Sequence, residues 1–206
     1  MRTSVAGRKF IERWEGLYLH AYDDRTERIV PADGACTGVL TIGYGHTTAA
    51  GSPAVCAGMT CTETQADEWL SADLGRVERQ VSSLVKVPLT QVQLDVLVSF
   101  EFNTGGLANS TLLRKLNAGD YGAVPVELLR WVHDGGEVVA GLVNRRKAEA
   151  ALWKGSAAGA IVTAGGAIAT GTVLAAADVP GWEIGLGLLV FAAVVSAVLW
   201  WRSRNA

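Results

Sequence analysis

Residues 14–24 read WEGLYLHAYDD and residues 40–47 read LTIGYGHT, and these two stretches decide the fold. An apolar stripe at helical spacing runs into the first stretch, and the glycine that follows Glu15 ends this helix, because glycine readily adopts the backbone conformation that closes helices. The residues after that glycine alternate as a strand does, and the two aspartates begin a turn. The second stretch then returns as a strand broken by glycines.

The rest of the first 154 residues has a helical pattern. A capping box from Thr62 to Gln65 predicts the start of one helix, and Thr90 predicts the start of another that runs through Phe100. Three further helices are predicted at residues 111–116, 121–131 and 144–152. A small hairpin-like sheet beside many helices is an α+β arrangement.

Two carboxyl groups and one hydroxyl of the deciding stretches suit the hydrolysis of a glycosidic bond. That reaction needs one carboxyl that stays protonated and donates to the leaving oxygen, and a second carboxyl that is ionised. Glu15 at a helix end and Asp24 in a turn can meet these needs across a cleft, and Thr41 can hold a water beside Asp24. Spacing alone is a weak signal and favours a surface role for Glu15 at the helix end, because the chain has 20 acidic residues and offers many such pairs.

The two stretches closely resemble the signature of phage-type lysozymes, glycoside hydrolase family 24. The resemblance implies a lysozyme-like fold and a catalytic triad, with Glu15 as general acid, Asp24 as base or electrostatic partner, and Thr41 orienting the water. It also implies an inverting hydrolysis of the bond between N-acetylmuramic acid and N-acetylglucosamine in bacterial peptidoglycan, used for host cell lysis. The implied chemistry requires no cofactor and no metal.

Further blocks of the same family pattern occur in the same order at residues 89–105, 110–119 and 141–149, so the resemblance covers about residues 5–154. By position, four residues are implied to line the sugar-binding cleft: Phe102, Asn103, Ser110 and Thr111. Helix packing is an equally good account of Phe102.

The resemblance also implies that His46 pairs with Asp73 and braces the two lobes, although a histidine after a glycine turn is more often simply structural. Arg145 and Arg146 either bind carboxylates of the wall or are solvated surface charges. One departure from the family pattern lies at residues 25–39, where the link is longer than the usual compact turn. This insertion is expected to reshape the substrate cleft or a lid.

Composition places a domain boundary near Lys154. Charged residues occur every few positions before Lys154, whereas Asp178 and Glu183 are the only charged residues between positions 155 and 201. We therefore predict a lysozyme-like catalytic domain at 1–154 and a hydrophobic membrane segment at 155–206.

Two uncharged runs within this segment, 157–177 and 184–201, are each long enough to span a bilayer. Trp200 and Trp201 form an interfacial pair on the second run, which is the stronger span. The first run has a flexible Gly/Ala linker as its alternative. A hairpin of two spans would tether the enzyme to the inner membrane, from which it would be delivered to periplasmic peptidoglycan.

A formal net charge of −2 predicts no nucleic-acid partner, and a monomer is expected. The three cysteines lack the spacing of a zinc site, and Cys56 and Cys61 either form a short-loop disulfide or remain free thiols like Cys36. Two other functions stay open. One is a non-catalytic wall-binding module that keeps the fold, and the other is a holin-like membrane-perturbing protein whose tail is the active part.

Overall fold

The computed structural model describes residues 1–163, with side chains up to residue 155. The helices are α1 (Val5–Glu15), α2 (Glu63–Leu84), α3 (Gln91–Thr104), α4 (Thr111–Asn117), α5 (Val124–Leu128) and α6 (Ala140–Thr163). The strands are β1 (Tyr18–Asp23), β2 (Arg28–Ile29), β3 (Leu40–Gly43), β4 (His46–Thr47), β5 (His133–Asp134) and β6 (Glu137–Val138). A small antiparallel sheet beside a larger helical part confirms the predicted α+β arrangement.

The main sheet has the strand order β2-β1-β3-β4, and all its neighbouring strands are antiparallel. Tyr22 of β1 lies opposite Thr41 of β3, and Asp23 lies opposite Leu40. The end of β1 is therefore beside the start of β3. Strand β2 falls inside the segment predicted as a polar insertion, and it pairs with the end of β1.

The helix boundaries follow from their caps. The Ser4 side chain accepts a hydrogen bond from the N–H of Gly7 at the start of α1, and Gly16 ends that helix with a φ of 69°. The capping box predicted from Thr62 to Gln65 is present at the start of α2. The end of α1 at Glu15 and the start of α2 are thus confirmed.

Helix α3 is the centre of the helical part. It packs against α1, α2 and α6, and its residues from Gln93 to Glu101 are all buried. A helix that is buried on every side is held rigidly by its neighbours, because protein interiors are packed as densely as organic crystals. Side chains that α3 and α6 present to each other therefore have well-defined positions.

Two predicted helices have different bounds in the structure. The α-helical part of 121–131 is only Val124–Leu128, preceded by a 3-10 helix at Tyr121–Ala123. Pro125 has no N–H to donate to residue 121, so the α-helix cannot extend across that turn. Helix α6 is longer than the predicted 144–152, since no proline interrupts residues 140–163.

The predicted domain boundary near Lys154 falls inside α6, which continues to Thr163. No helix within residues 1–163 is long and apolar enough to cross a membrane. The predicted spans at 157–177 and 184–201 lie outside the described residues, except where the first overlaps the end of α6. Cys36, Cys56 and Cys61 are free, so the described structure has no disulfide between the latter two.

Candidate active site

Glu15 occupies the last position of α1, where Gly16 turns the chain towards the sheet. Its side chain is buried, with 5% of the residue exposed. Arg145 of α6 donates a hydrogen bond from Nη1 to Glu15 Oε1 at 2.6 Å. Glu15 is therefore an interior carboxyl held by a specific partner, and the surface role that spacing left open is wrong.

Arg145 and Arg146 are both buried, at 4% and 0% exposure. Both interpretations of these residues are corrected, because neither guanidinium is a solvated surface charge or is free to bind wall carboxylates. They share Glu149, whose Oε1 accepts from Arg146 Nη2 at 2.8 Å and from Arg145 Nε at 3.4 Å. Ser99 of α3 donates to the same oxygen at 2.7 Å. The network joins α1, α3 and α6.

The pKa of Glu15 is raised above its ordinary value. Burial is the largest cause, because an ionised carboxylate loses its hydration, while the positive charge and hydrogen bond of Arg145 act in the opposite direction. A raised pKa keeps the carboxyl protonated at higher pH than a solvated glutamate. Glu15 is thus suited to donate a proton.

Asp23 is buried and organises the loop that follows β1. Its Oδ2 accepts hydrogen bonds from the N–H of Thr37 at 2.6 Å, from the Thr37 hydroxyl at 2.9 Å and from the N–H of Gly38 at 3.2 Å. Its Oδ1 accepts from the N–H groups of Arg25 and Thr26. Burial acts to raise the pKa of Asp23, but these bonds outweigh it and the pKa is lowered.

Asp24 has a different environment from its neighbour. Its Oδ1 accepts a hydrogen bond from the N–H of Val39 at 2.8 Å, while its buried Oδ2 has no hydrogen-bond partner among the described residues. Burial is the largest cause of a raised pKa, which the Val39 bond partly offsets. Of the two aspartates, Asp24 is therefore the one with an oxygen available for chemistry.

Thr41 and Asp24 both hydrogen-bond to the backbone of Val39. The Thr41 hydroxyl donates to the carbonyl oxygen of Val39 at 3.2 Å, and the same residue supplies the N–H that binds Asp24. Gly38 allows the backbone to lie close to both aspartate carboxyls. A Cβ atom at this position would overlap Asp24 Oδ1 and lie 2.7 Å from Asp23 Oδ1. The sequence analysis did not single out this glycine.

Tyr22 is a buried residue of β1, the strand that leads to Asp24. It is buried in β1 opposite Thr41, and its pKa is raised by burial first and then by the charges of Glu15 and Asp24. Sequence reasoning missed Tyr22, although its place two residues before Asp24 in the alternating stretch was a usable signal.

The four residues predicted to bind sugar lie in different environments. Phe102 is half-buried and packs against the main core, while Asn103 is buried and its Oδ1 has no hydrogen-bond partner among the described residues. The Ser110 hydroxyl caps α4, since it accepts from the N–H of Leu113 and donates to the carbonyl of Leu107. Thr111 is exposed at the first position of α4. A sugar-binding role stays a prediction for all four.

His46 and Asp73 are brought together as the resemblance implied. His46 Nδ1 lies 2.8 Å from Asp73 Oδ2, and Nε2 lies 2.9 Å from the carbonyl oxygen of Pro53. Burial acts to lower the pKa of His46, but both contacts outweigh it and the pKa is raised. Because β4 carries the histidine and α2 the aspartate, this contact joins the sheet to the helical part.

A family model described as phage lysozyme matches residues 12–149. The endolysin of Acyrthosiphon pisum secondary endosymbiont phage 1 is 38% identical over 160 residues, which span 75% of this chain and 99% of that protein.

Two solved structures are similar to the described fold. A crystal structure of a mutant P22 lysozyme has a TM-score of 0.61 and 37% identity, over 75% of this chain and 99% of that one. The muramidase domain of SpmX from Asticaccaulis excentricus has a TM-score of 0.60 and 33% identity, over 74% of this chain and 97% of that domain. The matched residues include the buried network at Glu15 and the turn at Asp24. By sequence and by fold, this chain belongs to the phage lysozyme family.

Proposed function

We propose that this protein is an endolysin-type muramidase, which hydrolyses the bond between N-acetylmuramic acid and N-acetylglucosamine in peptidoglycan and serves host cell lysis. The observation that carries the proposal is that two buried carboxyl groups differ in their hydrogen-bond partners. Burial raises the pKa of both carboxyls, but Glu15 is held by Arg145, whereas Asp24 keeps one oxygen without a hydrogen-bond partner among the described residues. Relatives named as an endolysin, a lysozyme and a muramidase domain support the proposal.

In the proposed reaction, Glu15 donates its proton to the glycosidic oxygen as the bond to the anomeric carbon breaks. A water attacks that carbon from the opposite face, Asp24 takes a proton from this water, and Thr41 orients it. The leaving sugar gains a hydroxyl, and the anomeric carbon gains a hydroxyl of inverted configuration. This inverting arrangement predicts a separation of about 6.5–9.5 Å between the two carboxyl groups, which leaves room for the water.

Digestion of purified peptidoglycan by the full-length protein tests this function. We expect new reducing ends that borohydride converts to N-acetylmuramitol, because the scissile bond lies on the reducing side of N-acetylmuramic acid. The first anomer seen by proton NMR should be α, since inversion of a β bond produces it. New ends at N-acetylglucosamine, or no new reducing ends, would contradict the proposal, and binding without cleavage would favour the wall-binding module.

We also propose that residues 155–206 tether the enzyme to the host inner membrane. The support is compositional, because only Asp178 and Glu183 are charged between residues 155 and 201, and Trp200 and Trp201 stand at the end of the last apolar run. In a hairpin, Lys154 and Arg202 would lie on the cytoplasmic side.

Flotation of lysed bacterial cells in a sucrose gradient tests the tether. We expect the full-length protein to float with the membranes and to leave them only when detergent is added. A chain ending at residue 163 should stay in the soluble fractions. The tether would be excluded if the full-length protein stayed soluble, whereas pelleting without flotation would indicate aggregation.

A further inference from the structure

The candidate acid and the three charged side chains behind it form one buried cluster. Glu15, Arg145, Arg146 and Glu149 are each no more than 5% exposed. When Glu15 is protonated, the other three carry two positive charges and one negative charge. The surplus positive charge favours the ionised form of Glu15, which is the wrong form for a proton donor.

Glu149 is the only acidic member of the cluster besides Glu15, within the part of the chain that the structure describes. It is fully buried, and one of its oxygens receives bonds from Ser99, Arg145 and Arg146. Arg145 binds Glu15 through Nη1 and contacts Glu149 through Nε. The two glutamates therefore use different nitrogens of the same guanidinium.

We propose that Glu149 is a positioning residue for proton donation by Glu15. It would hold Arg145 against the acid from the opposite side, and it would balance the positive charge that Arg145 and Arg146 direct at the acid. This inference rests on the proposed function, because it assigns the electrostatic support of the same site.

The groups that act on Glu15 agree with this assignment. After burial, which raises the pKa of Glu15, the charges of Arg145 and Arg146 lower it and the charge of Glu149 raises it. Tyr22 of β1 interacts with the charge of Glu15, and because its own pKa is raised it stays neutral at the pH values at which Glu15 titrates. From α3 the cluster contacts the neutral Ser99 hydroxyl and backbone carbonyl, and Arg146 Cζ lies 5.2 Å from the centroid of the Phe100 ring.

A buried ion pair is often no more stabilising than apolar side chains of the same size, because desolvation offsets the attraction. Stability alone is therefore a weak reason for two arginines and a glutamate at this position. A charge balance at the proton donor gives Glu149 a function that an apolar residue could not replace.

The test is the pH dependence of peptidoglycan clearing by the full-length protein, purified in a non-ionic detergent. Glu149→Gln keeps an acceptor for Ser99 and the arginines but removes the negative charge. We expect the alkaline limb of the profile to move to lower pH by about one unit, as neighbouring charges commonly cause. Clearing at a pH above the new limb should fall about tenfold, while clearing at the acidic plateau stays within about threefold. Glu68→Gln, an exposed change on α2, is the matched control.

Two further variants separate charge from packing. Arg146→Met removes one positive charge and should move the alkaline limb to higher pH, opposite to Glu149→Gln. The double variant removes both charges and should return the limb towards that of the wild-type protein, even if either single variant folds poorly. A loss of activity with an unmoved limb in every folded variant would overturn the inference.

A direct titration distinguishes this inference from the proposed function. Carbon NMR of the Glu15 carboxyl, assigned through Glu15→Gln, requires no catalysis. We expect Glu149→Gln to lower the pKa of Glu15. If the wild-type protein does not cleave peptidoglycan, the proposed function fails while this titration still tests the charge balance. If the pKa is unchanged in a protein that cleaves, only the inference about Glu149 fails.

Discussion

Glu15→Gln is expected to slow peptidoglycan clearing by about a thousandfold, since a positioned general acid contributes about 10²–10⁴ in rate. Glutamine keeps the shape of the side chain and an oxygen for Arg145 Nη1, but it has no acidic proton to donate to the leaving sugar. Turbidity loss of purified peptidoglycan, measured at several enzyme concentrations, gives the ratio of rates.

The control for this variant is Glu12→Gln, one turn earlier on α1. Glu12 pairs with Arg8 near the surface, so its loss should change clearing by less than about twofold and stability by less than about 0.5 kcal/mol. Circular dichroism of both variants checks that they are folded. If Glu15→Gln kept more than a tenth of the wild-type rate, Glu15 would not be the acid.

Asp23 and Asp24 are adjacent, but their replacement by asparagine is expected to have opposite consequences. Asp24→Asn should slow clearing by at least about a hundredfold, because an amide cannot take the proton of the attacking water. It should leave the free energy of unfolding nearly unchanged, since the amide oxygen still accepts the hydrogen bond from Val39.

Asp23→Asn should instead lower the free energy of unfolding by about 2 kcal/mol, because an amide nitrogen would face N–H groups that now donate to a carboxylate. The lowered pKa of Asp23 fixes the pH dependence of this loss. The ionised Asp23 stabilises the fold fully above its unfolded-state pKa of about 4, and this stabilisation disappears as the pH falls towards its folded-state pKa. The difference in stability between Asp23→Asn and the wild-type protein should therefore shrink in acid.

Urea unfolding at neutral pH and at pH values below about 4 measures this difference, and clearing assays on the same samples measure activity. Equal stability losses for both variants, or a larger activity loss for Asp23→Asn in folded protein, would mean that the two roles are exchanged.

The features that local sequence predicted are those that depend on neighbouring residues. The glycine after Glu15 ends α1, and Thr62 with Gln65 caps α2, because these effects act within one turn of the chain. The sequence pattern placed both aspartates in a turn, and the resemblance assigned the catalytic role to Asp24. That role stays a prediction, and in the structure it is Asp23 whose two oxygens are engaged by the loop.

The features that sequence did not predict depend on contacts between distant segments. Arg145 and Arg146 stand in a charged stretch that is equally typical of a solvated face, and only packing of α6 against α3 buries them. Their positions relative to Leu142, Ala150 and Trp153 were a signal, because these apolar residues lie on the same helix and are buried. The burial of these charges could not be predicted from that stretch alone, because Glu15 and Ser99, which complete the network, come from distant segments.

The hydrogen bonds of Asp23 close the loop between β1 and β3 at its neck, with Arg25 on one side and Thr37 on the other. Beyond that neck, β2 and the buried Val30 anchor the outgoing chain. Residues 31–35 follow Val30 and are exposed or half-buried, and the length of this tip can change at low entropic cost, because doubling the length of a flexible loop costs about 0.6 kcal/mol. Lengthening the tip would leave the carboxylate of Asp24 in place. The loop is thus a site where related chains can differ in length, and where a protein engineer can graft a peptide, independently of the chemistry.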